Sequence, residues 1–348
     1  MKILIVKLSS IGDVVHTLPV LPAILNKLPK AKIDWLIEDE ATELVTDHPL
    51  LNKVIIFYRR HWIKNFFFAD FFKTLREVKD FFHFLREEKY DLIIDFQGLF
   101  KSGILTFFAK GKRKLGYDKT RELSHIFLNE KIPPCNIENH AVKRYLNLLK
   151  PLNIGITSPE FPLPCLNGAA ICVDKLFSEA GINKFKPIIS ISPASKWESK
   201  TWGTEKIAVL SDRLIKYGMQ VIYTGSEKDT LLVEDIISFM KEKPINLCGK
   251  TSLRELIVVF KKSRLVLTVD SGPMHIAAAV QTPLVALFGP TSPGRTGPYS
   301  HKATVIQKNI SCSPCFKKRC SHKSCLNEIS VEEVFQQISV KIEEEEKI

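Results

Sequence analysis

The chain lacks any apolar run approaching the roughly 20 consecutive residues that a membrane-spanning helix needs, so no transmembrane segment is expected. Its apolar start, Met1 to Lys7, is too short for a signal-peptide core and leads straight into a polar loop, so no export is expected either. That loop, Lys7-Leu8-Ser9-Ser10-Ile11-Gly12, holds a single glycine. A dinucleotide fingerprint needs several, which weighs against an NAD-dependent sugar-nucleotide epimerase of doubly wound fold. There is no short-period repeat and no recognisable nucleic-acid-binding module. The Lys and Arg residues are spread along the chain, and nucleic acid is not an expected partner.

What is present describes an ordinary globular protein, with 45% hydrophobic and 25% charged residues. A length of 348 residues favours two domains. The net charge of +12 points to an anionic partner without choosing among nucleotide, anionic sugar and membrane surface. Short apolar runs without helical period alternate with amphipathic stretches: strands over 2–7, 33–37, 54–57 and 90–95, and a long helix over 70–89. Gly111 to Lys114, with Gly116 and Tyr117, reads as a basic turn. A second alternating set begins at Pro187. The pattern predicts parallel sheets wrapped by helices. The expected division is an N-terminal domain over 1–165, a linker over 166–186 with one modest helix near Val173 to Glu179, a second domain over 187–330 and a terminal helix over 331–348, with a cleft between the two α/β halves.

Two loops stand out. The strand Leu265 to Val269 stops at Asp270-Ser271-Gly272-Pro273, and the alanines at 277–279 favour a helix just beyond. Ser271 suits an N-cap and Pro273 a first-turn position, so the helix amides would face outward and attract phosphate. An ordinary strand-turn-helix unit explains the same spacing. The Gly12-Asp13 pair follows the first strand in the same way, with Asp13 either a helix cap or a functional carboxylate. The aromatic and basic block from Phe57 to Phe82, including Tyr58-Arg59-Arg60-His61-Trp62 and Phe66-Phe67-Phe68, fits a membrane surface, an acceptor groove or a partly buried helix pair. Of eight cysteines, four cluster as Cys312, Cys315, Cys320 and Cys325, with His322 among them. That spacing is either a small metal knot or a loop of thiols, and it lacks a strong paired CxxC pattern.

Taken in order, Lys7-x-Ser9-Ser10-x-Gly12-Asp13-Val14-x-His16-Thr17-Leu18-Pro19, Asp95-x-Gln97-Gly98-Leu99-x-Lys101-Ser102, Asp270-Ser271-Gly272-x-x-His275 and Phe288-Gly289-Pro290-Thr291 resemble the family 9 glycosyltransferases, bacterial heptosyltransferases of lipopolysaccharide core assembly, and look closest to the heptosyltransferase I type. The cysteine-rich segment departs from that type. The resemblance implies an α/β GT-B fold, two Rossmann-like domains facing a central cleft, and inverting transfer of heptose from ADP-L-glycero-D-manno-heptose to Kdo of Kdo-lipid A. A later heptose, as in the heptosyltransferase II type, or another sugar is the alternative. It assigns Asp13 as general base. It places Lys196, Lys200, Glu227, Asp229, Asp270, Ser271, Gly272, Met274 and His275 at the donor, with one of Glu227 and Asp229 serving only as a cap. It places Ser10, Gly12, Arg59, Arg60, Lys64, Gln97, Lys101 and Arg121 at the acceptor. It implies no required cofactor or metal, a divalent cation being at most a stimulant, and work in the cytoplasm with peripheral contact at the inner membrane.

Overall fold

The computed structural model describes residues 1–68, 70–155 and 158–346, without the side chains of Phe67, Phe68, Glu345 and Glu346; the expectations that fall on those side chains lie outside the described residues. The chain divides into two compact units, Met1–Cys165 and Leu166–Ile348. The first holds β1 (Lys2–Val6), β2 (Lys32–Glu38), β3 (Lys53–Phe57), β4 (Lys89–Asp95), β5 (Lys110–Tyr117) and β6 (Glu130–Ile132). The second holds β7 (Ile188–Ser192), β8 (Gln220–Tyr223), β9 (Ile245–Asn246), β10 (Leu265–Val269), β11 (Leu284–Phe288) and β12 (Ala303–Gln307).

Each unit is built on one six-stranded parallel sheet, and the orders are β3-β2-β1-β4-β5-β6 and β12-β11-β10-β7-β8-β9. Numbered within its own unit, the second order is the first one read backwards, so both halves share one topology. Parallel strands need crossovers that cover both faces, which is why β1, β10 and β11 are nearly unbroken apolar runs and β7 is buried throughout. In each unit the order reverses at one place, between β1 and β4 and between β7 and β10. Ligands of open α/β sheets bind outside the carboxyl ends of the strands at such a switch point. The loops carrying Asp13 and Gln97 leave one switch point, and those carrying Lys200 and Asp270 leave the other.

Two sequence expectations change. Residues 110–117 are strand β5 and not a turn. Its glycines answer to packing: a Cβ at Gly111 would lie 2.6 Å from the Ile93 side chain, and one at Gly116 2.6 Å from Leu128. The stretch 166–186 is largely the helix Asn167–Glu179, whose Val173 and Phe177 are buried in the second unit. The terminal helix Val331–Glu346 likewise adds Val334, Ile338 and Ile342 to that unit's core.

Inside the first unit, the fully buried Asp34 carboxylate accepts from Asn52 Nδ2 at 2.7 Å and from the Tyr90 hydroxyl at 3.0 Å, with Lys2 Nζ 3.6 Å away. A buried carboxylate deprived of a donor retains its desolvation cost. Tyr90→Phe is therefore expected to destabilise the protein by about 1–3 kcal/mol, read as a lower urea midpoint.

Candidate active site

At the mouth of the first sheet, β1 runs into Lys7, which is buried to 1% exposure. Its ammonium donates to the Tyr145 hydroxyl at 2.8 Å and to the Phe96 carbonyl at 3.3 Å, lies 4.4 Å from the Tyr145 ring centre and sits 4.0 Å from Asp13 Oδ1. Tyr145 passes its own proton on, donating to Asp13 Oδ1 at 2.8 Å. The other oxygen, Oδ2, accepts from the backbone and the hydroxyl of Ser10, at 3.3 and 3.0 Å, as the cap of helix Ile11–Thr17. The capping reading of Asp13 thus engages one oxygen, while the other is held by Tyr145 and Lys7. The side chain remains 37% exposed.

Burial works against ionisation of Asp13. The Lys7 ammonium and the hydrogen bonds from Tyr145 and Ser10 outweigh it and hold the carboxyl below its usual value. Burial also lowers the Lys7 pKa, even with Asp13 and Asp95 nearby. Burial raises that of Tyr145 well above the ordinary phenol value, with the Asp13 charge adding to it, so the hydroxyl is a neutral donor.

The exit of β4 braces this arrangement. Asp95, buried, accepts from the amides of Gln97 and Gly98 at 2.9 and 3.0 Å and from the Ser102 hydroxyl at 2.9 Å. Gln97 Oε1 in turn accepts from the amides of Leu8 and Ser9, each at 3.1 Å, so this side chain clamps the β1 loop. Lys101 donates to Ser9 Oγ at 3.2 Å and to Glu38 Oε1 at 2.7 Å, and Arg59 lies 3.9 Å from the same carboxylate oxygen. Arg60 pairs with Glu40. Ser10 and Lys64 are exposed and Gly12 is buried under the helix start. Arg121 lines a hollow of about 200 Å³ together with Gln97, Tyr117, Thr120, Arg144 and Tyr145. Arg144 Nε is sealed from water there without a hydrogen-bond partner among the described residues.

At the mouth of the second sheet, Lys200 Nζ and the Thr291 hydroxyl both meet Asp270 Oδ2, each at 2.6 Å, and Ser195 Oγ donates to the Asp270 carbonyl at 3.1 Å. Three strand exits, those of β7, β10 and β11, thus converge on one buried carboxylate. The Lys200 ammonium also lies 4.4 Å from the Trp197 ring centre. An ammonium has three N–H donors, and Asp270 takes one. Ser271 occupies the N-cap position of helix Gly272–Ala279, but its hydroxyl makes no capping bond and is buried without a partner among the described residues. Met274 and His275 are buried in the first turn, and Lys196 is exposed. Asp229 closes a capping box with the amide and hydroxyl of Ser226, at 2.8 and 2.7 Å, leaving Glu227 exposed at the β8 exit.

The four clustered cysteines are free thiols, Cys325 buried and Cys312 exposed. Their loop packs on the Lys200 turn, where Ser199 donates to the carbonyls of Lys317 and Lys318. Among the described residues no three His, Cys, Asp or Glu side chains are grouped to hold a metal ion.

The model of Glycosyltransferase family 9 (heptosyltransferase) matches residues 78–326. The chain belongs to this family. Lipopolysaccharide heptosyltransferase 1 of Pseudomonas aeruginosa is 30% identical over 328 residues, 93% of this chain and 88% of that protein. Among solved structures, E. coli ADP-heptose lipopolysaccharide heptosyltransferase II superposes with a TM-score of 0.81 at 26% identity, covering 99% of this chain and 100% of that one. E. coli heptosyltransferase WaaC with ADP gives 0.76 at 27% identity, covering 98% and 100%. The protein is accordingly a family 9 glycosyltransferase with the two Rossmann-like units of the GT-B class, and the epimerase reading falls away.

Sequence reasoning assigned no role to Lys7, Glu38, Arg144 or Tyr145. Lys7 stood inside a quoted motif. Tyr145 and Arg144 come from helix Ala141–Asn147, more than a hundred residues from Asp13, and nothing in their local sequence signals the contact.

Because Tyr145 donates to the ionised form of Asp13 and helps hold its carboxyl below the ordinary value, Tyr145→Phe is expected to move the acid limb of kcat/KM to higher pH. At neutral pH, kcat/KM should fall by about tenfold if Asp13 acts in the reaction, because its carboxylate loses one of its anchors. The sign is fixed by linkage. A depressed carboxyl stabilises the fold above its unfolded-state value and loses that contribution as pH falls through the folded one, so the variant should also lose less stability on acidification. An unchanged pH profile would remove Tyr145 from the tuning of Asp13.

Proposed function

We propose that this enzyme transfers heptose from ADP-L-glycero-D-manno-heptose to Kdo of Kdo-lipid A, with inversion, in lipopolysaccharide inner-core synthesis. The observation that carries the reading is Asp13: an ionised, partly accessible carboxylate at a sheet switch point, fixed by Lys7, Tyr145 and Ser10. As the acceptor oxygen bonds to the anomeric carbon, the hydroxyl proton passes to Asp13 and the bond from that carbon to the diphosphate breaks. Negative charge develops on the departing ADP. The remaining Lys200 donors, the Ser271 hydroxyl and the amides opening helix Gly272–Ala279 are placed to receive it. Asp270, held by Lys200 and Thr291, is suited to accept from sugar hydroxyls, and Glu227 from the ribose. With these groups neutralising the leaving charge, no metal or cofactor is required, and a divalent cation would at most assist.

Arg59, Arg60, Lys64, Lys101 and Arg121 give the acceptor unit donors for carboxylate and phosphate, which supports an anionic sugar on a phosphorylated lipid. The Pseudomonas aeruginosa relative named as heptosyltransferase 1 favours Kdo as the accepting residue. The likeness to E. coli heptosyltransferase II favours the second reading, addition of a later heptose. A lipid acceptor of this kind places the enzyme in the cytoplasm, in peripheral contact with the inner membrane. No helix among the described residues is long and apolar enough to cross it.

Product analysis with purified Kdo-lipid A and ADP-heptose separates the readings. The first expects one heptose on Kdo; transfer only to an already heptosylated core sinks it. Asp13→Ala should leave ADP affinity intact while turnover drops by about 10²-fold or more, and near-normal turnover would exclude Asp13 as the base.

A further inference from the structure

The largely irregular segment 312–325 reaches both sides of the Asp270 site. Against the β11 exit, the amides of Cys315 and Phe316 donate to the Pro290 carbonyl at 3.0 and 2.8 Å, and Ser313 Oγ donates to the Gly289 carbonyl at 2.7 Å. Cys325 closes on the same loop, its sulfur 3.1 Å from where a Cβ on Gly289 would stand. Against the Lys200 turn, the Lys317 carbonyl accepts from Ser199 Oγ at 2.6 Å, the Lys318 carbonyl accepts from the Ser199 amide at 3.3 Å, and Lys323 pairs with Glu198 at 2.8 Å. One side of this strap braces the loop of Thr291 and the other the turn of Lys200, the two groups that hold Asp270.

The four thiols on the strap differ in character. Cys325 is buried, and its sulfur feels the charges of Cys312, Cys315 and Cys320, so the four stand close together. Burial first, and those charges with it, push its pKa up and keep it a thiol. Cys320 is half-buried at an open hollow of about 610 Å³, lined by Arg319, His322, Lys323 and Asn327 with Glu198. The amides of Lys323 and His322 donate to its sulfur, and the Lys317 and Lys323 ammoniums add positive charge, so its pKa lies below the usual thiol value. A thiolate held this way, reachable from solvent and beside further thiols, is the kind that exchanges with disulfides, and the surrounding cations favour an anionic one.

We propose that Cys320 is a thiol–disulfide exchange site for an anionic low-molecular-weight disulfide of the glutathione type, and that exchange there loosens the Asp270 site. The Cys320 thiolate attacks one sulfur of oxidised glutathione. The S–S bond of that molecule breaks, a Cys320–glutathione disulfide forms and the other half leaves as a thiolate, so that Cys320 is oxidised and the departing sulfur reduced. A second thiol of the cluster, after losing its proton to solvent, can displace the bound half as a thiolate and leave a disulfide within the strap. Glutathionyl carboxylates compete with Glu198 for Lys323, and a cross-link pulls on the chain beside Lys317 and Lys318. Both act on the contacts that fix Ser199, next to Lys200. The exchange stands on the thiol cluster; its consequence rests on the reading of Lys200 as a contact for ADP.

The test incubates the full, reduced chain with oxidised glutathione at neutral pH and maps the products by peptide mass. Cys320 should become disulfide-bonded, to glutathione or within the strap, at least about tenfold faster than Cys165 and Cys172, exposed thiols outside the cluster that serve as internal controls. ADP affinity, measured by calorimetry on the same sample, should fall by about fivefold, the worth of one lost hydrogen bond, and return when dithiothreitol reverses the modification. Cys320→Ser should bind ADP as the reduced wild type does and keep that affinity in oxidised glutathione. The proposal is overturned if Cys320 reacts no faster than the controls, if ADP affinity is unmoved once Cys320 is modified, if the serine variant loses affinity to the same extent, or if the purified protein carries a metal ion that shields the four thiols. Failure of the reduced wild type to bind ADP would count instead against the donor reading, and the mass result would still decide the exchange site.

Discussion

A single buried ammonium organises the site in the first unit. Lys7 cannot be hydrated where it lies, so its charge must be met by the protein, and the groups that meet it are the Phe96 carbonyl, the Tyr145 hydroxyl and ring, and the Asp13 carboxylate. Each comes from a different element. The β1 loop, the β4 exit and helix Ala141–Asn147 are thereby held at one point. The same contact keeps Asp13 ionised despite its own burial. Positioning and ionisation of the carboxylate are one electrostatic fact.

The second unit solves a matching problem with the signs exchanged. There the buried charge is the Asp270 carboxylate, met by Lys200 and Thr291 from two neighbouring strand exits. Both arrangements occupy the switch point of a sheet with the same strand order, where loops diverge to either side and leave backbone donors uncovered. One topology used twice thus presents a carboxylate with a buried lysine partner in the first unit and a lysine with a buried carboxylate partner in the second. On the function proposed, the first arrangement takes a proton and the second receives a leaving anion.

Where sequence reasoning departed from the structure, packing was the cause. Gly111 and Gly116 looked like turn residues, yet they belong to β5 because Ile93 and Leu128 fill the space their side chains would need. The prolines before and after residues 166–186 suggested a linker with a modest helix near Val173 to Glu179; Val173 and Phe177 find a core to enter, and the helix extends back to Asn167. Gln97 read as an acceptor-contacting group; its carbonyl oxygen is committed to the β1 loop amides, which adds a structural role to that reading without overturning it. Of the two acids after β8, Asp229 proved to be the cap, leaving Glu227 exposed.

The sequence by itself determined the alternating α/β architecture, most strands, and the two loops at Asp13 and Asp270. Apolar runs of strand length, helical periodicity and capping residues are local signals, and they act over a few residues. The tertiary structure alone decided what surrounds those loops: that Tyr145 reaches Asp13 across more than a hundred residues, and that Lys200 and Thr291 share one oxygen of Asp270. Such contacts arise from the order in which parallel strands assemble. No short segment contains that order, because each crossover brings its partner from a distant part of the chain.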